Sequence, residues 1–284
     1  MNDPALMIGL GVLLGALLAW LGGRARLLAS SGQAAIWAIV AIVFVTQGWI
    51  WGAVLVLWAV AAGAVTVFRR SYKEHFKDRL GDDAAQNWIE VLARLGWPAV
   101  LAILSVAVAG MDYIVPFVGA LATAGADVWA TELGMLQQED PRLITTRRRV
   151  AHGTPGAVSM VGITAALGAA WLFGFITLLL SSIRMWQLDE SIHDRLVWLP
   201  LAALVGGLIG TLTDSLLGAT AQAYYHCEVC DRYTEEPMHT CGREANQVRG
   251  WPWMTNEVVD FISTVVGASV TAGVAILLAQ SPWP

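Results

Sequence analysis

Eight runs of apolar residues, most of them long enough to cross a bilayer, dominate this 284-residue chain and leave it few ways to fold. They fall near residues 5–22, 33–47, 50–68, 98–113, 115–136, 157–181, 197–219 and 258–280. Hydrocarbon offers no partner to backbone N–H and C=O groups, so each run must satisfy them internally. Because apolarity is continuous and not alternating, the runs read as helices and not as barrel strands. The expected fold class is all-α: a polytopic transmembrane bundle of about eight spans, forming one integral membrane domain over residues 1–284 with a loop at 220–257. The second and third runs join tightly at Gln47-Gly48-Trp49, and the short runs 33–47 and 98–113 leave room for a tilted or re-entrant segment. A composition of 56% apolar and 14% charged residues fits a membrane protein, as does a mean hydropathy of +0.59. No basic stretch precedes the first run, which ends in Leu21-Gly22-Gly23-Arg24, so it reads as a retained span and not a cleaved signal.

Charge gives an independent reading of orientation, because Lys and Arg accumulate in cytoplasmic loops. Of the 17 basic residues, all but Arg184 and Arg195 fall in alternate connections. These hold Arg24 and Arg26; Arg69, Arg70, Lys73, Lys77, Arg79 and Arg94; Arg142 and Arg147 to Arg149; and Arg232, Arg243 and Arg249. The pattern predicts both termini outside and every long loop inside, as in a bacterial inner membrane with its site on the cytosolic face. A formal net charge of −5 supplies no basic surface for nucleic acid.

Carboxylates inside spans are expensive and usually face a bundle interior. Asp127 and Glu132 lie near the inner end of the fifth run, and Asp214 at the inner end of the seventh. At helical spacing Thr123, Asp127 and Thr131 share a face; Gly206, Gly210, Asp214 and Gly218 share another, whose small residues admit a neighbouring helix. Asn256, Asp260, Thr264 and Gly267 make a third stripe at the start of the last run. Each group alone is compatible with helix-to-helix glue; their common gathering at the inner surface suggests a site.

The connection after the fifth run carries Pro141-Arg142-Leu143-Ile144-Thr145-Thr146-Arg147-Arg148-Arg149, then Gly153-Thr154-Pro155-Gly156. Its arginines would hold topology and touch anionic lipid, or bind phosphate with the hydroxyls of Thr145, Thr146 and Thr154 and the close backbone at Gly153 and Gly156. Carboxylates opposite would hold Mg²⁺, which together with phosphate-binding arginines makes a phosphoryl-transfer kit. No P-loop, nucleophile elbow or H-E-x-x-H motif is present.

All three cysteines lie in the 220–257 loop, as Cys227-Glu228-Val229-Cys230 and Cys241. A reducing cytosol argues against a disulfide, leaving plain thiols or a structural Zn²⁺ knuckle completed by His239 or His226.

The strings A-D-V-W-A-T-E-L-G, P-R-L-I-T-T-R-R-R-V-A-H-G-T-P-G-A-V-S, D-S-L-L-G-A-T-A-Q and T-N-E-V-V-D-F-I-S-T occur in that order. They resemble the transmembrane protein 19 family, also called domain of unknown function 92, which includes a plant phytyl-phosphate kinase. The resemblance runs from Asn87-Trp88 to the final span. It implies an integral-membrane kinase that transfers a phosphoryl group from CTP or another nucleoside triphosphate to an isoprenyl monophosphate. The family pattern falls on Asp127, Trp129, Thr131 and Glu132; on Pro141, Arg142, Thr145 and Thr146; and on Asp214, Ser215, Gly218 and Thr220. Where the family has G-T-N-G-G this chain has Gly153-Thr154-Pro155-Gly156-Ala157, and Asp260 stands in a segment where N-N-x-V-N is expected.

The resulting expectation places Mg²⁺ on Asp127, Glu132 and Asp214, and phosphate on Arg142, Arg147, Arg148, Arg149, Thr145, Thr146, Gly153 and Thr154. Thr131, Ser215, Asn256 and Asp260 would complete the substrate site, with the prenyl tail between helices and membrane lipid around the bundle. Two alternatives stand beside it, a transporter or scramblase of phosphorylated isoprenoid lipids and a structural scaffold, and a homodimer stays open.

Overall fold

In the computed structural model, which describes residues 3–73, 85–108, 112–189 and 194–280, eight helices are long and apolar enough to cross a membrane. They are α1 (Pro4–Arg24), α2 (Ser30–Gln47), α3 (Trp49–Val67), α4 (Trp88–Ala107), α5 (Ile114–Gly134), α6 (Met160–Leu188), α8 (Leu199–Thr220) and α9 (Asn256–Gln280); the short α7 (Asp194–Val197) precedes α8. The expected joint between α2 and α3 is present, made by Gly48 at φ 78. Two small antiparallel sheets lie between helices, beyond an all-helical reading of the loops. One pairs β1 (Arg142–Leu143) with β2 (Ala157–Val158), and the other has the order β4-β3-β5, from β3 (Tyr224–Cys227), β4 (Arg232–Thr234) and β5 (Asn246–Arg249).

The largest departure from the sequence reading is α4, which begins ten residues before the expected run at 98–113. Its first turns carry Glu90 and Arg94, and Pro98 stands inside it, so the apolar run alone starts too late. Asn87 caps the helix: its Oδ1 accepts from Ile89 N at 2.7 Å, while Glu90 Oε2 accepts from Asn87 N at 2.6 Å. This reciprocal box fixes the true start, and it moves Arg94 from a loop into the bundle. Helix α6 likewise runs past 181 to Leu188, taking in Arg184. Lys77 and Arg79 lie outside the described residues.

Helix α5 is the axis of the bundle, with 67% of its apolar stretch buried, against 39% or less for every other span among the described residues. Its small residues let neighbours approach. Trp58 of α3 donates from Nε1 to Leu121 O at 2.9 Å, and Trp51 meets Phe117 with ring centroids 4.5 Å apart. Thr123 is fully buried between α8 and α9, where a Cβ on either Gly210 or Gly267 would collide with it. Lipid tails are as apolar as the side chains, so such close packing, more than burial from water, holds membrane helices together. It also sets the register. One turn further along, α5 presents Asp127 and α8 presents Asp214, while α9, entering from that same end, presents Asp260 about two turns before Gly267.

Candidate functional site

Asp127, Asp214 and Asp260, from three different spans, form a cluster in which one carboxylate oxygen from each lies within 4.8 Å of the others. Asp214 Oδ1 is buried with no hydrogen-bond partner. Arg94 approaches from α4, its Nε 3.0 Å from Asp260 Oδ2 but not aligned as a hydrogen bond. Three carboxylates beside one guanidinium leave an excess of buried negative charge, and buried charge of one sign is costly without a counter-charge. The donor set is oxygen alone, suited to a hard divalent cation such as Mg²⁺. The orphaned Asp214 oxygen is the atom such an ion would satisfy.

The triad forms part of the wall of a cavity of about 400 Å³ that draws residues from the α1–α2 turn, the C-terminal ends of α3, α5 and α8, the N-terminal ends of α4, α6 and α9, and the connections at that end. A volume of this order suits a small-molecule ligand. Arg26 and Arg70 also line the cavity, and Ile163, Ala166, Leu208 and Leu212 add apolar surface.

Of the residues expected at the site, Thr131, Gly153, Thr154, Ser215 and Asn256 line this cavity with the three aspartates. The loop at 153–156 is held there by close packing: Gly156 has φ +81, and a Cβ on it would strike the backbone of Ala219 at the end of α8. Gly156→Ala is therefore expected to destabilise the protein by at least about 2 kcal/mol, from left-handed strain plus overpacking. Thermal unfolding in detergent checks this; an unchanged midpoint contradicts it.

Other expected residues lie elsewhere. Glu132 lines the cavity but is not in the metal-ligand cluster; it pairs with the buried Lys73, Nζ to Oε2 at 2.5 Å. Lys73 also donates to Val65 O at 2.9 Å and Thr66 O at 2.8 Å, so it closes the C-terminal end of α3 as well as neutralising Glu132. Arg142, Arg147, Arg148 and Arg149, with Thr145 and Thr146, are exposed and outside the cavity wall. Arg142 Nη1 donates to Arg147 O at 3.2 Å, and Arg147 has φ 57, so this segment is spent on a tight turn after β1. Arg94, Arg70 and Arg26 line the cavity but were not expected there from the sequence. Arg94 could have been found from the Asn87-x-x-Glu90 capping signal, which places it nearly two turns into a helix.

Beyond α8 the three-stranded sheet adds to the cavity wall. Gln222, Tyr224, Thr234, Glu235 and Glu236 line the cavity from this side. Arg249 of β5 donates from Nη2 to Gly218 O at 2.7 Å, tying the sheet to the end of α8, and its guanidinium lies 5.2 Å from the Tyr224 ring centroid. Burial, reinforced by Glu235, pushes the Tyr224 phenol up to about 12, so it faces the cavity as a neutral hydroxyl. At the far end of this sheet Cys227, Cys230, His239 and Cys241 form the second metal-competent cluster among the described residues. His226 is not in it: it bonds Asp231 at 3.0 Å and packs on Tyr233.

Comparison with known proteins agrees with this architecture. The chain is 27% identical to Protein PGR of Arabidopsis thaliana over 285 aligned residues, covering 95% of this chain and 97% of that protein. It is 34% identical over 148 residues to an uncharacterized membrane protein of Methanocaldococcus jannaschii, covering 51% of this chain and 56% of the relative. With an uncharacterized membrane protein of Synechocystis it shares 26% identity over 257 residues, covering 88% of this chain and 83% of the relative. No solved structure matches. The model for integral membrane protein DUF92 matches residues 13–268, from α1 into α9 and through all three aspartates. The chain is a member of that integral membrane family.

Proposed function

We propose that the protein is a membrane-embedded, Mg²⁺-dependent phosphotransferase that moves the terminal phosphoryl group of CTP or another nucleoside triphosphate onto an isoprenyl, phytyl-like monophosphate. The observation that carries this reading is the meeting of Asp127, Asp214 and Asp260 from three spans, with a carboxylate oxygen left unpaired. Mg²⁺, held by these carboxylates, would supply charge neutralisation to the phosphate oxygens. Arg94, Arg70 and Arg26 add fixed positive charge around the cavity, and the hydroxyls of Thr154 and Ser215 can donate to phosphate. In the transfer, phosphorus exchanges its bond to the donor's bridging oxygen for one to an acceptor phosphate oxygen, and the nucleoside diphosphate leaves with the bonding pair. The acceptor oxygen is already ionised, so no general base is required. Ile163, Ala166, Leu208 and Leu212 suit a prenyl tail passing between α6 and α8. The basic connections Arg24 to Arg26, Arg69 to Lys73 and Arg142 to Arg149 all lie at the cavity end, which supports a cytosolic site.

The test is turnover. Purified protein is given Mg²⁺, each nucleoside triphosphate and farnesyl, geranylgeranyl or phytyl monophosphate, and the diphosphate product is followed by mass spectrometry. Product with at least one pair is expected. Failure with every pair, together with movement of the phosphorylated lipid across reconstituted liposomes, would favour transport instead. In the same assay Arg147→Ala, Arg148→Ala and Arg149→Ala are each expected to change the rate by less than about threefold, since exposed charges act weakly through solvent. A drop beyond about tenfold in any of them would return that arginine to the site.

A further inference from the structure

We infer that Cys227, Cys230, His239 and Cys241 are the four ligands of a structural zinc ion that holds together the sheet forming part of the cavity wall. Their ligand atoms lie within 4.8 Å of one another. Cys227 Sγ and Cys241 Sγ are 3.8 Å apart, far beyond a disulfide bond of about 2.05 Å. Two sulfurs on a tetrahedral Zn²⁺, each about 2.3 Å from the metal, stand roughly 3.8 Å apart. The spacing matches a tetrahedron edge.

The backbone supports the same reading. Cys227 ends β3 and Cys230 lies in the turn to β4, closed by Asp231 at φ 53. Facing it is a second tight turn bearing His239 and Cys241, in which His239 N donates to Arg243 O at 2.9 Å and Gly242 N to His239 O at 2.8 Å, with Gly242 at φ +77. Two opposed turns, each presenting two soft or borderline ligands, form a closed S₃N site with no open position, the mark of structural and not catalytic zinc.

Energetics argue that something must hold this sheet. Val229, Tyr233, Met238 and Val248 are exposed, whereas Cys227 and His239, two of the four ligands, are buried. Segments this small, with so little apolar core, ordinarily need a metal or cross-link to stay folded. The sheet's other end supplies Tyr224, Thr234 and Glu235 to the cavity wall, so the ion would fix that wall without touching the reacting groups.

Metal analysis of the full-length protein in detergent tests this separately from turnover. About one zinc per chain is expected, released in full when the thiols are titrated with a mercurial, and release is expected to speed proteolytic cleavage between residues 221 and 255. Cys227→Ser/Cys230→Ser protein should retain less than about a tenth of the metal. Should the double variant fail to fold, cobalt substitution in the unaltered protein gives a second reading: tetrahedral thiolate–cobalt absorption is expected. Wild-type protein without zinc, iron in its place, undiminished zinc in the variant, or cobalt bound without thiolate absorption would each overturn the assignment. Because none of these readouts requires phosphotransfer, they can succeed or fail independently of the proposed activity.

Discussion

Asp127→Asn, Asp214→Asn and Asp260→Asn are each expected to lower Mg²⁺-dependent diphosphate formation by about 100-fold or more, with little loss of folded protein. Asparagine keeps the volume and an acceptor oxygen but removes the charge. For Asp127→Asn and Asp214→Asn stability should therefore be held or improved, because each relieves repulsion within a buried acidic cluster, whereas Asp260→Asn also takes a counter-charge from Arg94 and should give back part of that gain. Cation binding should suffer most, seen as a rise in the Mg²⁺ concentration needed for half-maximal rate. The same logic separates Glu132, which faces Lys73 and not the triad. Glu132→Gln should lower thermal stability before it alters the Mg²⁺ requirement. Rates within threefold of wild type for all three aspartate variants would contradict the assignment.

Lys73→Met is expected to cost about 3–5 kcal/mol, because it removes a buried ammonium from beside the Glu132 carboxylate. Lys73 is 1% exposed, and its ammonium also serves the carbonyls of Val65 and Thr66. One substitution thus removes an ion pair and a helix cap together. For a chain of this size the midpoint of thermal unfolding should fall by on the order of 10 °C. Lys73→Met/Glu132→Leu should recover much of that loss, since a buried ion pair can be replaced by apolar groups at little cost. A single variant as stable as wild type, or a double variant no better than the single, would show that the pair is not the tie it is taken to be.

The spans were readable because apolar runs of bilayer length admit one structure. The positions of Asp127 and Asp214 were readable because helical spacing puts each on a stripe of small residues, and those stripes pack on one another at Thr123, Gly210 and Gly267. Glu132 shows the limit of proximity in sequence. Five residues from Asp127, it lies roughly 140° around the helix, so the two cannot both face one ion. Arg94 was hidden by Glu90 and Pro98, which break the apolar run and mimic a loop although the helix continues. The arginines after β1 misled for the opposite reason: guanidinium groups beside threonines suit phosphate, but Arg147 and its neighbours are committed to a turn whose side chains face outward. The choice between His226 and His239 needed strand geometry. Neighbours on β3 point to opposite faces, so His226 cannot join Cys227.

The central claim is that three spans build one divalent-cation site, and Mn²⁺ titration followed by electron paramagnetic resonance measures it without any substrate. Wild-type protein in detergent should take up Mn²⁺ at a site that Mg²⁺ competes for, and Asp214→Asn should weaken that uptake at least about tenfold. Equal Mn²⁺ uptake by wild type and Asp214→Asn, or none by either, would mean that the carboxylates meet for some purpose other than holding a metal.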